Sequence, residues 1–297
     1  MTTLTHILVP TDFSEPAQRA LAYAGDLARR TGARLTVMYA DRLIPPLDAG
    51  VEMRASAYAT TAMLEERARH DIAADVRKLI DPTVDVKTII RIATAAEGIL
   101  AQARESKPDL IVMGTHGRSG VPRLVFGSVT EAVMRGANVP VLAVSPESET
   151  KSSINTIVSC VDFSEAWLQA INLAGSLTPE DAHFFIIGAV SPDAIHSTAA
   201  LREIEEWTPA ALASRCRFML FSKVHFAENV ARFAQRIEAN LLVATEPHVR
   251  NIVEVLRGTV AERLMQSSHC PVLTVTEPES SSHAGLPVDR DAGVTMF

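Results

Sequence analysis

The sequence predicts an α/β protein of two tandem domains, each a five-stranded parallel sheet with helices on both faces. Short apolar runs such as HILVP, from His6, alternate with segments whose apolar residues recur at helical spacing. This alternation is typical of parallel sheets covered on both faces. The second half then repeats the first, because HILVPTDFSEPA returns as TIVSCVDFSEAW, from Thr156. A repeat of this length indicates one supersecondary unit used twice.

Within the first copy the elements follow in a regular order. After strand HILVP, Ser14 is expected to cap a helix that tolerates Pro16 in its first turn and ends at Gly32. Strand ARLTVMYA and a long connection lead to a helix over about 62–79. Strand VDVKTIIR, a third helix, strand DLIVMG, a short helix over 128–135 and strand PVLAV complete the unit. The second copy keeps this order.

A polar stretch, SPESETKSS, separates the two copies. We therefore place the first domain at residues 1–148 and the second at 149–277. The last residues, 278–297, show no periodicity, and we expect them to form a disordered tail.

Composition limits the classes of partner. The 297 residues are 47% hydrophobic and 21% charged, as in globular proteins. A formal charge of −7 argues against binding to nucleic acid or a membrane surface. No apolar run approaches the ~20 residues of a membrane span, and the start of the chain does not resemble a secretory signal. Three separated cysteines, Cys160, Cys216 and Cys270, indicate buried small side chains in a reducing cytosol, with no structural zinc.

The segment GTHGRSGVPRLVFGS concentrates glycines between the fourth strand and the next helix. Ligands of parallel sheets bind beyond the carboxyl ends of the strands. Gly114 and Gly117 would let backbone N–H groups approach a ligand without a Cβ in the way. A helix start at Gly127 offers unpaired N–H groups and the positive end of a dipole. Arg118 and Arg123 would add charge-assisted contacts. The segment therefore predicts a phosphate cradle.

The second copy provides an internal comparison. It keeps the Gly-Ser/Thr helix start and a glutamate three residues later, so a capping box is predicted at both Ser128 and Thr259. The loop itself is not kept: the positions of Gly114, Gly117, Arg118 and Arg123 are taken by Thr245, His248, Val249 and Glu254. The fold thus requires the helix start but not the loop glycines, and we predict that the first copy holds the ligand; whether the second copy binds any ligand stays open.

Other residues at this edge are candidates for ligand contact, and for Asp12 a structural role is the alternative. Asp12 ends the first strand, where its carboxylate would meet a ribose hydroxyl or a bound Mg²⁺. The same DFSE sequence recurs at Asp162 without the glycines, so a turn or cap role is the alternative. His116 is expected to face solvent. Tyr39 and Ala40 end the second strand, where their backbone groups would meet an adenine.

Gly114, Gly117, Gly127 and Ser128 match the pattern G-x2-G-x9-G-[ST] of the ATP-binding members of the universal stress protein family, which this chain resembles. ILVPTDFSE and NVPVLAV are similar to the family's flanking strands. The resemblance covers residues 3–146 and, more weakly, 154–276. It implies a tandem member with Rossmann-like, adenine nucleotide alpha hydrolase-like domains.

The resemblance also implies a ligand and its contacts. ATP, with or without Mg²⁺, would be bound by the first domain. Its site would comprise Pro10, Thr11, Asp12, Ala40, Met113, Gly114, Gly117, Arg118, Gly127, Ser128, Val129 and Thr130. The two domains would pair through PVLAV and PVLTV, as single-domain subunits of the family pair across strand five, and a homodimer of the whole chain stays open.

Three functions are compatible with these residues. The favoured one is a cytosolic ATP-binding module in stress response or signalling. The second is a slow ATPase or nucleotidyl transferase with Asp12 or His116 as the base; neither GxxxxGK[ST] nor G-x-S-x-G occurs in the sequence. The third is a scaffold that binds no nucleotide.

Overall fold

The computed structural model describes residues 4–41, 51–115, 127–146, 148, 154–246 and 259–276, and side chains only from residue 62 onward in the helix that begins at Val51. In these ranges the strands are β1 His6–Pro10, β2 Arg34–Asp41, β3 Val86–Ile92, β4 Leu110–Gly114, β5 Val141–Val144, β6 Thr156–Val161, β7 His183–Val190, β8 Cys216–Ser222, β9 Leu241–Glu246 and β10 Val272–Thr276. The helices are α1 Glu15–Thr31, α2 Val51–Leu79, α3 Ala95–Ser106, α4 Ser128–Gly136, α5 Glu165–Ser176, α6 Thr198–Trp207, α7 Ala210–Ala213, α8 Phe226–Arg236 and α9 Val260–Ser267, with a short 3₁₀ turn at Pro192–Ala194.

These strands form one sheet in the order β3-β2-β1-β4-β5-β10-β9-β6-β7-β8. Strands β1 to β5, the first half, are parallel to one another, and so are strands β6 to β10, the second half. The halves meet where β5 and β10 pair antiparallel, with Leu142 opposite Leu273. The predicted fold class, two five-stranded parallel sets with helices on both faces, is confirmed.

Two helical layers bury the sheet. One face packs against α1, α2, α5, α6 and α7 around side chains such as Leu21 and Trp167, both fully buried. The other face packs against α3, α4, α8 and α9 around Val133 and Phe226. Each apolar cluster draws on both halves, because the sheet continues through β5 and β10. Burial of both faces explains why the inner strands are apolar runs rather than alternating patterns, whereas the edge strands β3 and β8 are more exposed and carry charged residues.

Local signals locate helix α1 well. The Ser14 hydroxyl accepts a hydrogen bond from the Ala17 N–H (3.4 Å), and Gly32 ends the helix in the left-handed region at φ 73°. The prediction for α2 was wrong at its start, because the helix begins at Val51 instead of near residue 62. Residues 51–61 lack a clear apolar period but are rich in good helix formers, so propensity extends the helix beyond the periodic part.

The predicted domain boundary after residue 148 adjoins residues that are not described, and the predicted tail from residue 278 lies outside the described residues. Both remain predictions. Two of the cysteines, Cys160 and Cys270, are buried as expected, and Cys216 is half-buried; all three are free thiols. Burial raises the pKa of Cys216 to about 11 and that of Cys270 to about 12. No helix within the described ranges has the length and apolar character needed to cross a membrane.

Asp109 joins the start of β4 to the start of β1. Its Oδ2 accepts hydrogen bonds from the Thr5 N–H (2.8 Å), the His6 N–H (2.9 Å) and the Thr5 hydroxyl (2.7 Å). Burial by itself would raise the pKa of this carboxyl, but the hydrogen bonds from Thr5 and His6 outweigh it and lower the pKa. The carboxylate is therefore the form that stabilises the strand pair.

Asp109→Ala is expected to reduce the free energy of unfolding by about 1–3 kcal/mol at neutral pH, because backbone donors lose their acceptor. Asp109→Asn should keep most of it, since Asn240 Oδ1 accepts the matching N–H bonds in the second half (3.0 and 3.1 Å). The folded pKa lies below the unfolded one, so the ionic contribution is present above about pH 4 and is lost as pH falls through the folded pKa. Urea unfolding from pH 7 to pH 3 measures both effects. Equal losses for Asn and Ala would contradict this account.

Candidate functional site

The candidate site lies where the order of strands reverses direction. Strand β1 pairs with both β2 and β4, so the first half winds outward from this point in both directions. Asp12 follows the end of β1, and Gly114 is the last residue of β4. In open parallel sheets, this crevice beyond the carboxyl ends is where ligands bind. The predicted residues Asp12 and Gly114 are therefore at the edge expected from the sequence.

The start of α4 is held against the end of β4. The Gly127 N–H donates to the Thr115 carbonyl (2.9 Å), and the Thr130 hydroxyl donates to the Gly114 carbonyl (2.9 Å). Gly127 is the N-cap residue and, as a glycine, has no side chain with which to cap the helix. The N–H groups of residues 128–130 belong to the first turn and have no acceptor within the helix. The helix start thus presents backbone donors at the same edge as Asp12.

The predicted capping box at Ser128 is wrong. Ser128 is exposed and is already the first helical residue, so its hydroxyl does not cap the turn. The Glu131 N–H instead bonds to the Gly127 carbonyl (3.0 Å), and the Glu131 side chain pairs with Arg135. Helix α4 thus begins one position earlier than the equivalent helix of the second half. The hydrogen bond from the Thr130 hydroxyl to Gly114 is specific to α4, because the second half has an alanine at this position.

Asp12 has a structural role in its turn. Its Oδ1 accepts hydrogen bonds from both the Ser14 N–H (3.0 Å) and the Ser14 hydroxyl, while Phe13 adopts a left-handed φ of 65°. Asp162 Oδ1 makes the same two bonds with Ser164 in the second half. The turn role is therefore common to both halves. A ligand contact by Asp12 stays a prediction.

The two halves differ in one residue at the end of the strand that faces this turn, Gly114 in the first half and Thr245 in the second. In the second half, the Thr245 hydroxyl donates to Asp162 Oδ2. Gly114 stands at the matching position and offers no hydroxyl. A Cβ on Gly114 would lie 2.9 Å from both the carbonyl carbon and the carbonyl oxygen of Pro16, at the start of α1. Glycine is thus required at 114 because α1 approaches the end of β4 closely.

The close approach of Pro16 to Gly114 contradicts the prediction that the fold does not need this glycine. The second copy lacks glycine at this position, which led to the inference that the fold does not need it. In the first half the fold does need Gly114, because Pro16 backbone atoms occupy the space of a side chain. The sequence signal was the pair of differences itself: Pro16 and Gly114 stand where the second copy has Ala166 and Thr245.

The corresponding helix start in the second half is closed by side chains. The Thr259 hydroxyl accepts from the Glu262 N–H (3.2 Å) and donates to Glu246 Oε2 (2.7 Å). Glu262 Oε2 accepts in return from the Thr259 N–H (3.0 Å). The capping box predicted at Thr259 is confirmed. Glu246, fully buried, stands where the first half has the neutral Thr115.

Three further predicted residues, Thr11, Ala40 and Met113, lie in or beside the described strands, whereas a second group does not. Thr11 lies against β2, since its N–H donates to the Met38 carbonyl (2.8 Å), and Ala40 is half-buried two residues further along that strand. Met113 is 95% buried in the sheet core on the α3 and α4 side. The second group lies outside the described residues: His116, Gly117, Arg118, Arg123, His248, Val249 and Glu254.

An ion pair between the halves was not foreseen from the sequence. Arg135 Nη2 donates to Glu262 Oε1 at 3.3 Å and also pairs with Glu131. Helix α4, which begins at the candidate site, therefore contacts the capping residue of α9. The two partners are far apart in the chain, and no local pattern relates them.

A parallel sheet wound in both directions from a central crevice, duplicated along the chain, defines the class of doubly wound α/β proteins. The family model described as the universal stress protein family matches residues 3–145. Universal stress protein MJ0531 of Methanocaldococcus jannaschii is 30% identical over 144 residues, which are 48% of this chain and 84% of that protein. Universal stress protein MJ0577 of the same organism is 30% identical over 150 residues, which are 46% of this chain and 93% of that protein. The chain belongs to the universal stress protein family.

Solved structures extend the likeness to both halves. A universal stress protein from Archaeoglobus fulgidus matches 92% of this chain and 97% of its own, with 19% identity and a TM-score of 0.67. This agreement concerns the fold. A universal stress protein in complex with cAMP matches 48% of this chain, with 98% of its own chain covered, 24% identity and a TM-score of 0.31.

Proposed function

We propose that the first half binds an adenine nucleotide, ATP, with the phosphates at the start of α4 and the nucleoside over the ends of β1 and β2. In this proposal, nucleotide occupancy serves a stress-response or signalling role in the cytoplasm. The observation that carries it is the difference between two equivalent helix starts. The N-cap residue of α4 is a glycine, which supplies no side-chain cap, whereas the start of α9 is closed by Thr259 and Glu262.

The physical basis is the attraction of anions to helix N-termini. The first-turn N–H groups and the helix dipole favour a phosphate there. Around α4 the nearby strand end carries Gly114 and the neutral Thr115, where the second half has the larger Thr245 and the acidic Glu246. Gly117 and Arg118 complete the motif in sequence and would add backbone and guanidinium donors. Asp12 would contact the ribose or a Mg²⁺ held with the phosphates.

We propose further that the second half binds no nucleotide at the equivalent edge. The Thr259 N–H and hydroxyl are already bonded to Glu262 and Glu246, and the Glu262 N–H is bonded to the Thr259 hydroxyl. A buried carboxylate within hydrogen-bond distance of the helix start would repel a phosphate. The Thr245 hydroxyl also donates a hydrogen bond to Oδ2 of Asp162, which is then less available to a ligand.

Thermal unfolding with ATP tests the proposal, because a ligand at about 100 times its dissociation constant adds about 2.7 kcal/mol to stability. ATP is expected to raise the melting temperature of the wild-type protein. Asp12→Ala should remove most of this rise. Asp162→Ala is the matched control, since it loses the same turn contacts in the other half and should keep the full response. Gly117→Val should also abolish the response.

Other outcomes separate the alternatives. An unchanged melting curve at millimolar ATP would favour a scaffold that binds no nucleotide. Rapid phosphate release that disappears in Asp12→Ala would favour an ATPase. Equal effects of Asp12→Ala and Asp162→Ala on the ATP response would contradict a site restricted to the first half. ADP, AMP, GTP and cAMP, tested in the same assay, define which nucleotide is preferred.

A further inference from the structure

A second concave site lies at the opposite edge of the first half. It is a pocket of about 350 Å³ between the last turns of α3 and α4 and the segment that leads into β5. Both helices run back from the carboxyl edge of the sheet, so this pocket is distant from the proposed nucleotide site. Its apolar wall includes Leu100, Ala103, Ala137 and Val139.

Two cations line the pocket. Arg104 and Lys107 are exposed, and neither forms an ion pair with a described residue. Lys107 caps α3 in the left-handed region at φ 44°, with its N–H bonded to the Ala103 carbonyl. In the repeat, the same two positions hold Gln235 and Glu238. At these two positions, the positive charge is therefore specific to the first half. A pocket with an apolar wall and two cations suits an acidic peptide that also contains apolar residues.

The end of strand β10 brings such a segment to this place. Strand β10 runs antiparallel to β5, with Thr274 opposite Val141, so its last residue lies toward Val139 and the pocket. The Thr276 hydroxyl donates to the Met134 carbonyl, two residues before Gly136 of the pocket wall. Whatever follows Thr276 therefore starts beside the pocket.

The sequence that follows has matching chemistry. Glu277 and Glu279 flank Pro278 directly after the strand. Beyond them, residues 280–297 contain two further carboxylates and a single arginine, together with apolar residues such as Leu286. The segment is thus acidic at the end nearest to two cations that have no described partner.

In place of the disordered tail expected from the sequence, we propose that the C-terminal segment from Glu277 docks in this pocket, with Glu277 and Glu279 paired with Arg104 and Lys107. The occupant is the chain itself, because its exit point and its charge both match the site. Docking would cover the apolar wall and fasten the end of the chain to the last turn of α4. This proposal is independent of nucleotide binding at the other end of that helix.

Amide hydrogen exchange on the full chain tests the docking. Glu277→Lys with Glu279→Lys should speed exchange in the last turns of α3 and α4 by about threefold or more, the change expected when two exposed ion pairs are lost. Arg104→Glu with Lys107→Glu should have the same effect, and the four changes combined should restore protection. The first pair of substitutions follows strand β10, which ends at Thr276, and so changes none of its residues.

Two controls have the same kind of charge change elsewhere. Asp289→Lys with Asp291→Lys alters the distal part of the same segment, and Glu238→Lys alters the matching position of the second half. Neither should change exchange around the pocket. Unchanged exchange after Glu277→Lys with Glu279→Lys would overturn the proposal. So would protection that depends on protein concentration, which would indicate a second copy, or protection by a co-purified anion detected by native mass spectrometry.

Discussion

Gly114→Thr is expected to lower the free energy of unfolding by about 1–3 kcal/mol and to abolish the stabilisation by ATP. The substitution gives the first half the residue that the second half carries at Thr245. Its Cβ would stand 2.9 Å from the carbonyl carbon and oxygen of Pro16, and backbone atoms cannot rotate away. Overpacking of this kind costs typically 1–3 kcal/mol. Urea unfolding and thermal shifts with and without ATP measure the two effects.

The reverse change in the second half is the control. Thr245→Gly removes the hydrogen bond to Asp162 and adds backbone freedom, so a loss of roughly 1–2 kcal/mol is expected. The response to ATP should be retained. Gly114→Ala places the same Cβ against Pro16 and should also lose stability, but it lacks the further atoms of threonine. A Gly114→Thr protein as stable as wild type would show that α1 does not restrict this position.

Thr259→Val is expected to lower the free energy of unfolding by about 3 kcal/mol. Valine has nearly the same shape, so the change isolates the hydroxyl. The capping bond to the Glu262 N–H is worth about 1 kcal/mol. Loss of the bond to the fully buried Glu246 carboxylate adds about 1–3 kcal/mol. Chemical denaturation at neutral pH measures the sum.

Ser128→Ala is the matched substitution at the equivalent position of the first half. Because Ser128 is exposed and does not cap α4, its removal should change stability by less than about 0.5 kcal/mol without nucleotide. Its effect is expected on ATP affinity instead. Similar destabilisation at both positions would mean that the first half also contains the capping box that the sequence predicts.

Much of the architecture was accessible from local patterns. Apolar runs located the strands, and residues such as Ser14 and Gly32 located the ends of α1, because caps and periodicity act over a few neighbouring residues. The start of α2 was missed where helix propensity continues without an apolar period. The capping box was predicted for both halves and occurs only at Thr259 among the described helix starts, because sequence similarity does not record a one-residue shift of a helix start.

The sequence by itself determined the duplicated parallel α/β plan, the strand ends that form the candidate site, and membership of the family through its motif residues. Only the tertiary structure decided which helix start is closed by side chains, why Gly114 admits no side chain beside Pro16, and how Arg135 meets Glu262. These features depend on contacts between residues that are distant in the chain. Their energies arise from packing and hydrogen bonding across the sheet, which no local pattern of residues contains.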